Sequence, residues 1–247
     1  MKQTSKLLIT LFSLMVLFSL GCKKQDGNPD NSGNTVTDID GNVYKTVTIG
    51  TQVWMEGNLK VKHYRNGDPI TIRVGTKSGN LIDTTGSAWY YNNDENNFAD
   101  YGLLYNWYAA NDARIIAPLG FHVPSDEEWG TLINSLGGNY YLIGGDTIAG
   151  VKLKEAGTVH WGQMGDPRSN ADATNSSNWS GRPGGIIYQG HFGNMRGYGA
   201  WWASTPLTGV QKDDAYEMVL ALNKKGAHRY FNFKASGLSV RCVKDKQ

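Results

Sequence analysis

The chain has 247 residues, enough for one or two domains and for a sizeable core that needs no covalent staples. Its formal net charge of +2 creates no field that would draw nucleic acid, which is therefore not an expected partner. With 31 Gly, 13 Tyr, 8 Trp and only 19% charged residues, the composition excludes a disordered body and describes a loop-heavy fold of short strands, often an extracellular one.

Residues 1–21 read as an export signal. Lys2 and Lys6 form a basic start, and Leu7 to Leu20 is an apolar or hydroxyl run of 14 residues, too short to span a bilayer. It ends in Ser19-Leu20-Gly21-Cys22, which resembles the lipobox of bacterial lipoproteins, although that pattern has Leu three residues and a small residue two residues before the Cys. The expectation is that Cys22 is lipidated and anchors the chain in the cell envelope, at the outer membrane or cell surface. An ordinary cleaved signal is the alternative. Residues 22–35 carry almost no large apolar side chain and form a flexible tether, leaving 36–247 as a single globular domain. A lipidated Cys22 cannot pair, so Cys242 is expected to be a lone buried thiol, with no disulfide and no Cys-based metal site.

Val36–Ile39 and Val43–Ile49, around Asp40-Gly41, predict a hairpin, and Gln52–Met55 a third strand. Ile70–Val74 and Ala88–Tyr91 are further strands. Leu103–Ala110 is ambiguous and is read as a strand entering a short helix that ends near Arg114. FHVPSDEEWGTL holds a histidine, a serine and three carboxylates, as a catalytic cluster might be imagined to. Ser125 followed by Glu128 is instead the capping-box pattern, and acids suit the first turn of a helix. Trp129, Leu132, Ile133 and Leu136 then recur with helical spacing up to Gly137-Gly138. A second helix is expected over Ile148–Glu155. Trp161 to Gly199 reads as mostly loop, and such length points to function or mobility. Ala200–Ser204, Ala215–Leu222 and His228–Phe233 predict strands. Gly237–Val243 predicts a last one, with Leu238, Val240 and Cys242 facing inward against polar partners.

YGLLYNWYAA, PLGFHVPSDEEWGTL, VKLKEAG, RPGG, WWAST and GLSVRCV, in this order, resemble the Fibrobacter succinogenes major paralogous domain, found largely in lipoproteins of Bacteroidetes and Fibrobacteres. VPSDEEW and GLSVRCV are more distantly similar to the formylglycine-generating enzyme group and so to the C-type lectin-like fold. The resemblance implies an α+β domain of short, mostly antiparallel strands, two main helices and long loops, with N- and C-terminal strands side by side. It does not carry over the cysteine chemistry of those enzymes. Family members carry a Cys where this chain has Ala117, which implies that Ala117 and Cys242 are neighbours.

No catalytic residue emerges. The five histidines show no HxH or HExxH pair, and neither a GxSxG elbow nor a phosphate-binding loop is present. Paired carboxylates for a polysaccharide-active hydrolase cannot be read from spacing alone. Asn92, Asp94, Glu95 and Asn96 offer hard oxygen ligands of the type Ca²⁺ takes; the alternative is a solvated turn. Ligand-binding candidates are Asp172, Trp179, Arg182 and Tyr198 in and beside the long loop, where an exposed indole would stack on a sugar and polar neighbours would bind hydroxyls. Trp201 and Trp202 are read as structural. The functional expectation is a lipid-anchored binding domain for a glycan or protein ligand. The rivals are a polysaccharide hydrolase and a structural or adhesive surface subunit.

Overall fold

The computed structural model describes residues 34–74, 84–142, 145–163, 166 and 169–246. The expected signal segment, Cys22 and nearly all of the tether lie outside the described residues.

The first hairpin joins β1 (Thr35–Thr37) to β2 (Val43–Ile49) through an aspartate. Asp38 Oδ1 accepts the backbone N–H groups of Asp40 and Asn42, and Gly41 takes φ +82 to close the turn. Asp38 Oδ2 accepts the Tyr44 hydroxyl at 2.6 Å, and burial holds that phenol well above its usual pKa. A second tight turn leads to β3 (Gln52–Met55).

Next come β4 (Thr71–Ile72), β5 (Ser87–Trp89), the four-residue helix α1 (Phe98–Tyr101) and β6 (Leu104–Tyr105). Helix α2 (Trp107–Ala110) follows at once, as expected, but ends four residues before Arg114. Arg114 instead pairs with Asp112 and Asp68 in the following loop. Strand β7 (Phe121–His122) precedes α3 (Asp126–Ser135), the only helix among the described residues that reaches ten residues. Its capping box is present: Ser125 Oγ accepts the Glu128 N–H, and Glu128 Oε2 accepts the Ser125 N–H at 2.9 Å. The second expected helix is α4 (Ala149–Leu153), shorter at both ends than its pattern suggested.

The long stretch after Trp161 is not loop throughout. It contains a hairpin of β8 (Ile186–Tyr188) and β9 (His191–Gly193), and β10 (Tyr198–Pro206) already begins at Tyr198. Strands β11 (Asp214–Ala221) and β12 (Ala227–Phe233) follow, then β13 (Val243–Lys244). Four sheets result: β1-β2-β3-β13-β7, β10-β11-β12, β4-β5-β6 and β8-β9. All named pairings are antiparallel except β4 with β5. The domain is thus α+β and mostly strand, with β13 seated beside the N-terminal strands.

The closing segment corrects the sequence reading. Only Val243–Lys244 is ladder; Gly237, Leu238 and Ser239 make isolated bridges to Ile187, Tyr105 and Trp201. Nor does one face look outward, because Leu238 through Val243 are all buried, Ser239 and Arg241 included. The segment threads between two hydrophobic clusters. Leu238, Val240, Cys242 and Ala117 belong to one, so the implied neighbours share a cluster. Trp54, Trp129, Trp161, Trp179 and Trp201 belong to the other.

Candidate functional site

The buried aspartate Asp146 builds the most suggestive surface feature. Its carboxylate accepts the backbone N–H groups of Asn139, Ile148, Ala149 and Ala227, and its own N–H donates to Ala227 O. Four donors on one carboxylate bind the 139–149 loop to the first residue of β12. The approach is so close that a Cβ on Gly226 would lie 1.3 Å from Asp146 O. Gly145, at φ +90, lies against the His228 ring, where any side chain would overlap Nδ1.

A cleft of about 210 Å³ opens there, lined by Tyr140, Tyr141, Leu142, Gly145, His228, Arg229 and Tyr230. Its rim is apolar and open: Tyr141 and Tyr230 are each 51% exposed and Leu142 49%. Its wall is an ion pair. Arg229 donates Nε and Nη2 to both oxygens of Asp126 at 2.8–3.1 Å, from β12 to the first turn of α3. The guanidinium also lies 3.8 Å over the Tyr216 ring and 5.4 Å from that of Tyr141. These hydrogen bonds to Asp126 hold Arg229 firmly charged.

His228 forms the floor. It is only 6% exposed, yet neither ring nitrogen has a hydrogen-bond partner among the described residues. Burial, reinforced by Lys224, lowers its pKa against the pull of Asp146, so the ring is neutral at pH 7. A neutral imidazole has one N–H to give and one lone pair to offer, and here both are unused. The ring stacks nearly parallel to Tyr230, 6.0 Å between centroids. The buried Tyr140 hydroxyl also lacks a well-formed hydrogen bond, although the Asp126 carboxylate is near enough to help raise its pKa behind the larger effect of burial.

The residues singled out from sequence do not converge. Trp179, expected exposed, is fully buried, as are all eight tryptophans. The polar loop around it is held in place by driving this indole into the core, where it meets Trp129 at 5.9 Å and Trp201 at 5.0 Å. Arg182 binds Glu155 at 3.0 Å and Asp100 at 3.2 Å, and His160 joins the same carboxylates. Asp172 is exposed, 3.6 Å from Lys225. Tyr198 is half-buried in β10. Asn92 to Asn97 form two 3₁₀ turns, with Asn92 and Asn93 at positive φ. Asp94 Oδ1 caps the second turn by accepting from Asn96 N and Nδ2. Among the described residues no three His, Cys, Asp or Glu side chains are grouped to hold a metal ion.

Sequence reading also missed Arg241, a fully buried cation without a carboxylate partner. Its guanidinium donates to Trp179 O, Met55 O, Ser180 O and Asn58 Oδ1, and its carbon lies 3.8 Å over the Trp179 ring. Burial first, then Arg182, pulls its pKa down to about 9. Asn58 connects the same centre to Trp201 Nε1, Tyr101 O and Ser239 Oγ. This hub positions the 179–182 loop and serves the fold.

The other enclosed histidines are committed. His122 sets Nδ1 against Asp245 at 2.7 Å and Nε2 against Glu128 at 2.9 Å, and His160 sets Nδ1 against Glu155 at 2.5 Å. In each the nearest groups are carboxylates, not a hydroxyl or thiol. The Cys242 thiol is fully buried, and desolvation pushes its pKa well up, which leaves it unreactive. No helix among the described residues is long and apolar enough to cross a membrane.

In comparisons with known proteins, neither a curated protein nor a solved structure matches the chain. The model of the Fibrobacter succinogenes major domain matches residues 47–244, from β2 to the end of β13. The match takes in the capping-box helix, the buried loop tryptophans and the closing GLSVRCV segment, and the chain belongs to this Fibrobacter succinogenes major domain family.

Proposed function

We propose that this chain is a lipid-anchored envelope lipoprotein whose domain, C-type lectin-like in arrangement, acts by binding and not by catalysis, with the cleft beside β12 as its ligand site. The observation that carries the reading is His228: a buried, neutral imidazole with donor and acceptor both unfilled, at the floor of a cleft rimmed by half-exposed tyrosines. Unfilled buried polar groups are costly in a fold, and a ligand group or water that reaches them removes that cost. The arrangement of apolar rim and few convergent polar groups is what small-ligand sites present.

Anchoring is supported by the sequence alone, through the basic start, the short apolar run and Cys22 before a polar tether. The lectin-like arrangement is supported by β13 lying beside β3 and by the long loops pinned on buried tryptophans. Absence of catalysis is supported by the carboxylate-bound histidines and the inert thiol.

The test uses the full-length chain, expressed with its signal and purified in detergent. Lipid label should enter the chain and be lost in Cys22→Ser. Retention on envelope and dietary polysaccharides or on peptides should be lost in the double substitution Tyr141→Ala, Tyr230→Ala. Release of reducing ends that a single carboxylate substitution abolishes would replace binding with hydrolysis.

A further inference from the structure

We infer that the cleft beside β12 takes a single neutral pyranose ring, the terminal residue of a glycan; this rests on the binding reading above and names the ligand class. Size sets the first limit. About 210 Å³ lies below the range of sites that enclose drug-sized ligands, so it admits one ring and leaves the rest of a chain outside.

Hydrogen-bond valence sets the second. His228 asks for a partner that can accept and donate from the same place, since one nitrogen is an N–H and the other a lone pair. A sugar hydroxyl does both. A carboxylate or phosphate only accepts, and an ammonium only donates. A purely apolar side chain would leave both ring nitrogens unfilled in a drier site, at a cost in affinity.

Charge sets the third. The one cation in the lining, Arg229, has its charge answered by the nearly buried Asp126, bidentate, and covered by the Tyr216 ring. An anionic ligand therefore finds no spare positive charge in the cleft and meets the Asp126 carboxylate behind it. A cationic ligand meets Arg229. The neutral pair suits hydroxyls, which can receive from the guanidinium and give to the carboxylate.

The rim supplies the remaining term. Tyr141 and Tyr230 offer half-exposed ring faces, and the C–H face of a pyranose is the apolar surface that stacks on a phenol ring while its hydroxyls point to the floor.

The full-length chain in detergent micelles is titrated by calorimetry, with ligand-observed saturation-transfer NMR alongside. The panel is the methyl glycosides of glucose, galactose, mannose, fucose and N-acetylglucosamine, plus methyl glucuronide. At least one neutral glycoside should saturate with millimolar affinity, and glucuronide should bind at least about tenfold more weakly. Tyr141→Ala and Tyr230→Ala should each weaken binding about three- to tenfold. His228→Phe, which keeps a flat ring and the fold but loses both hydrogen bonds, should weaken it about tenfold or more, and His228→Gln should recover part.

No saturation by any neutral glycoside up to about 50 mM overturns the inference, as does tightest binding of glucuronide. If a peptide or longer polysaccharide is still retained and the tyrosine substitutions abolish that retention, the binding reading survives without this ligand class. Binding that ignores every cleft substitution removes both.

Discussion

Glu217 occupies a position where a carboxylate ought not to be. It lies in the middle of β11, in register with Trp202 on β10 and Tyr230 on β12, and is 2% exposed. Its Oε2 has no hydrogen-bond partner, and no cation pairs with it among the described residues. Burial pushes its pKa from 4.5 up to about 8, against a smaller opposing effect of the Asn232 side chain. The folded protein thus keeps this group protonated at neutral pH. The sign of the consequence follows from proton counting. Between pH 4.5 and about 8 the folded state holds a proton that the unfolded state has released, so stability falls as pH rises. The slope is about 1.4 kcal/mol per pH unit, which accumulates to about 3 kcal/mol by pH 7 and levels off above pH 8.

Glu217→Gln keeps the shape and removes the titration. The variant should match the parent near pH 4.5, where the acid is neutral in both states. It should then gain on it steadily, becoming more stable by several kcal/mol at pH 9. Urea unfolding followed by tryptophan fluorescence suits the measurement, because all eight indoles are buried and report global unfolding. The informative quantity is the difference in stability between variant and parent at each pH. A difference that stays flat from pH 5 to 9 would refute the argument, since it would mean that the folded and unfolded carboxyls titrate alike.

Three further outcomes follow from the same structure. The hydrogen bond to Glu128, and then that to Asp245, raises the folded pKa of His122 above 6.5, so its contribution is complete below pH 6.5 and is lost as pH climbs through the raised value; His122→Gln should remove that loss, seen as pH-independent hydrogen exchange of the 243–246 segment across this window. Arg241→Met should destabilise the domain by about 2–4 kcal/mol in urea, because it strands the carbonyls of Trp179 and Ser180 and the Asn58 oxygen in the core, whereas a change below about 0.5 kcal/mol would deny the hub its role. Ligand retention should be unchanged by EDTA, since the carboxylate nearest the cleft, Asp126, is held by Arg229; a calcium requirement would point instead to Asn92, Asp94, Glu95 and Asn96.

What the sequence disclosed was the part of the fold that local chemistry decides. Ser125 and Glu128 stand three apart because each caps the other, so α3 could be placed to the residue. Asp40-Gly41 marked the first hairpin for a similar reason, since the turn needs a residue at ease with positive φ. Misreadings cluster where a segment is buried on all sides. GLSVRCV looks like a half-exposed strand because Ser239 and Arg241 are polar, but the loop carbonyls of Trp179 and Ser180 come from 60 residues away to satisfy the arginine, and no local pattern announces them. Trp179 failed for the same reason from the other side. A tryptophan in a polar, glycine-punctuated loop looks exposed, yet such a loop orders only by spending its few large apolar groups on the core.

The cleft lay further from view because it has no sequence of its own. Its wall comes from Asp126 and Arg229, 103 residues apart, and its rim from Tyr141 and Tyr230. They meet only because Asp146 gathers N–H groups from both sides of the 139–149 loop and from Ala227. Asp146 belongs to no recognisable motif, and its neighbours Gly145 and Gly226 read as ordinary turn residues until their missing side chains prove necessary for the approach. That division has a physical consequence for the domain. The capping box, the tryptophan cluster and the Arg241 hub secure the fold without involving the cleft rim. Tyr141, Leu142 and Tyr230 can therefore change with little cost to stability, since each is already about half in water. A surface of this kind can alter its ligand while the scaffold beneath it stays the same.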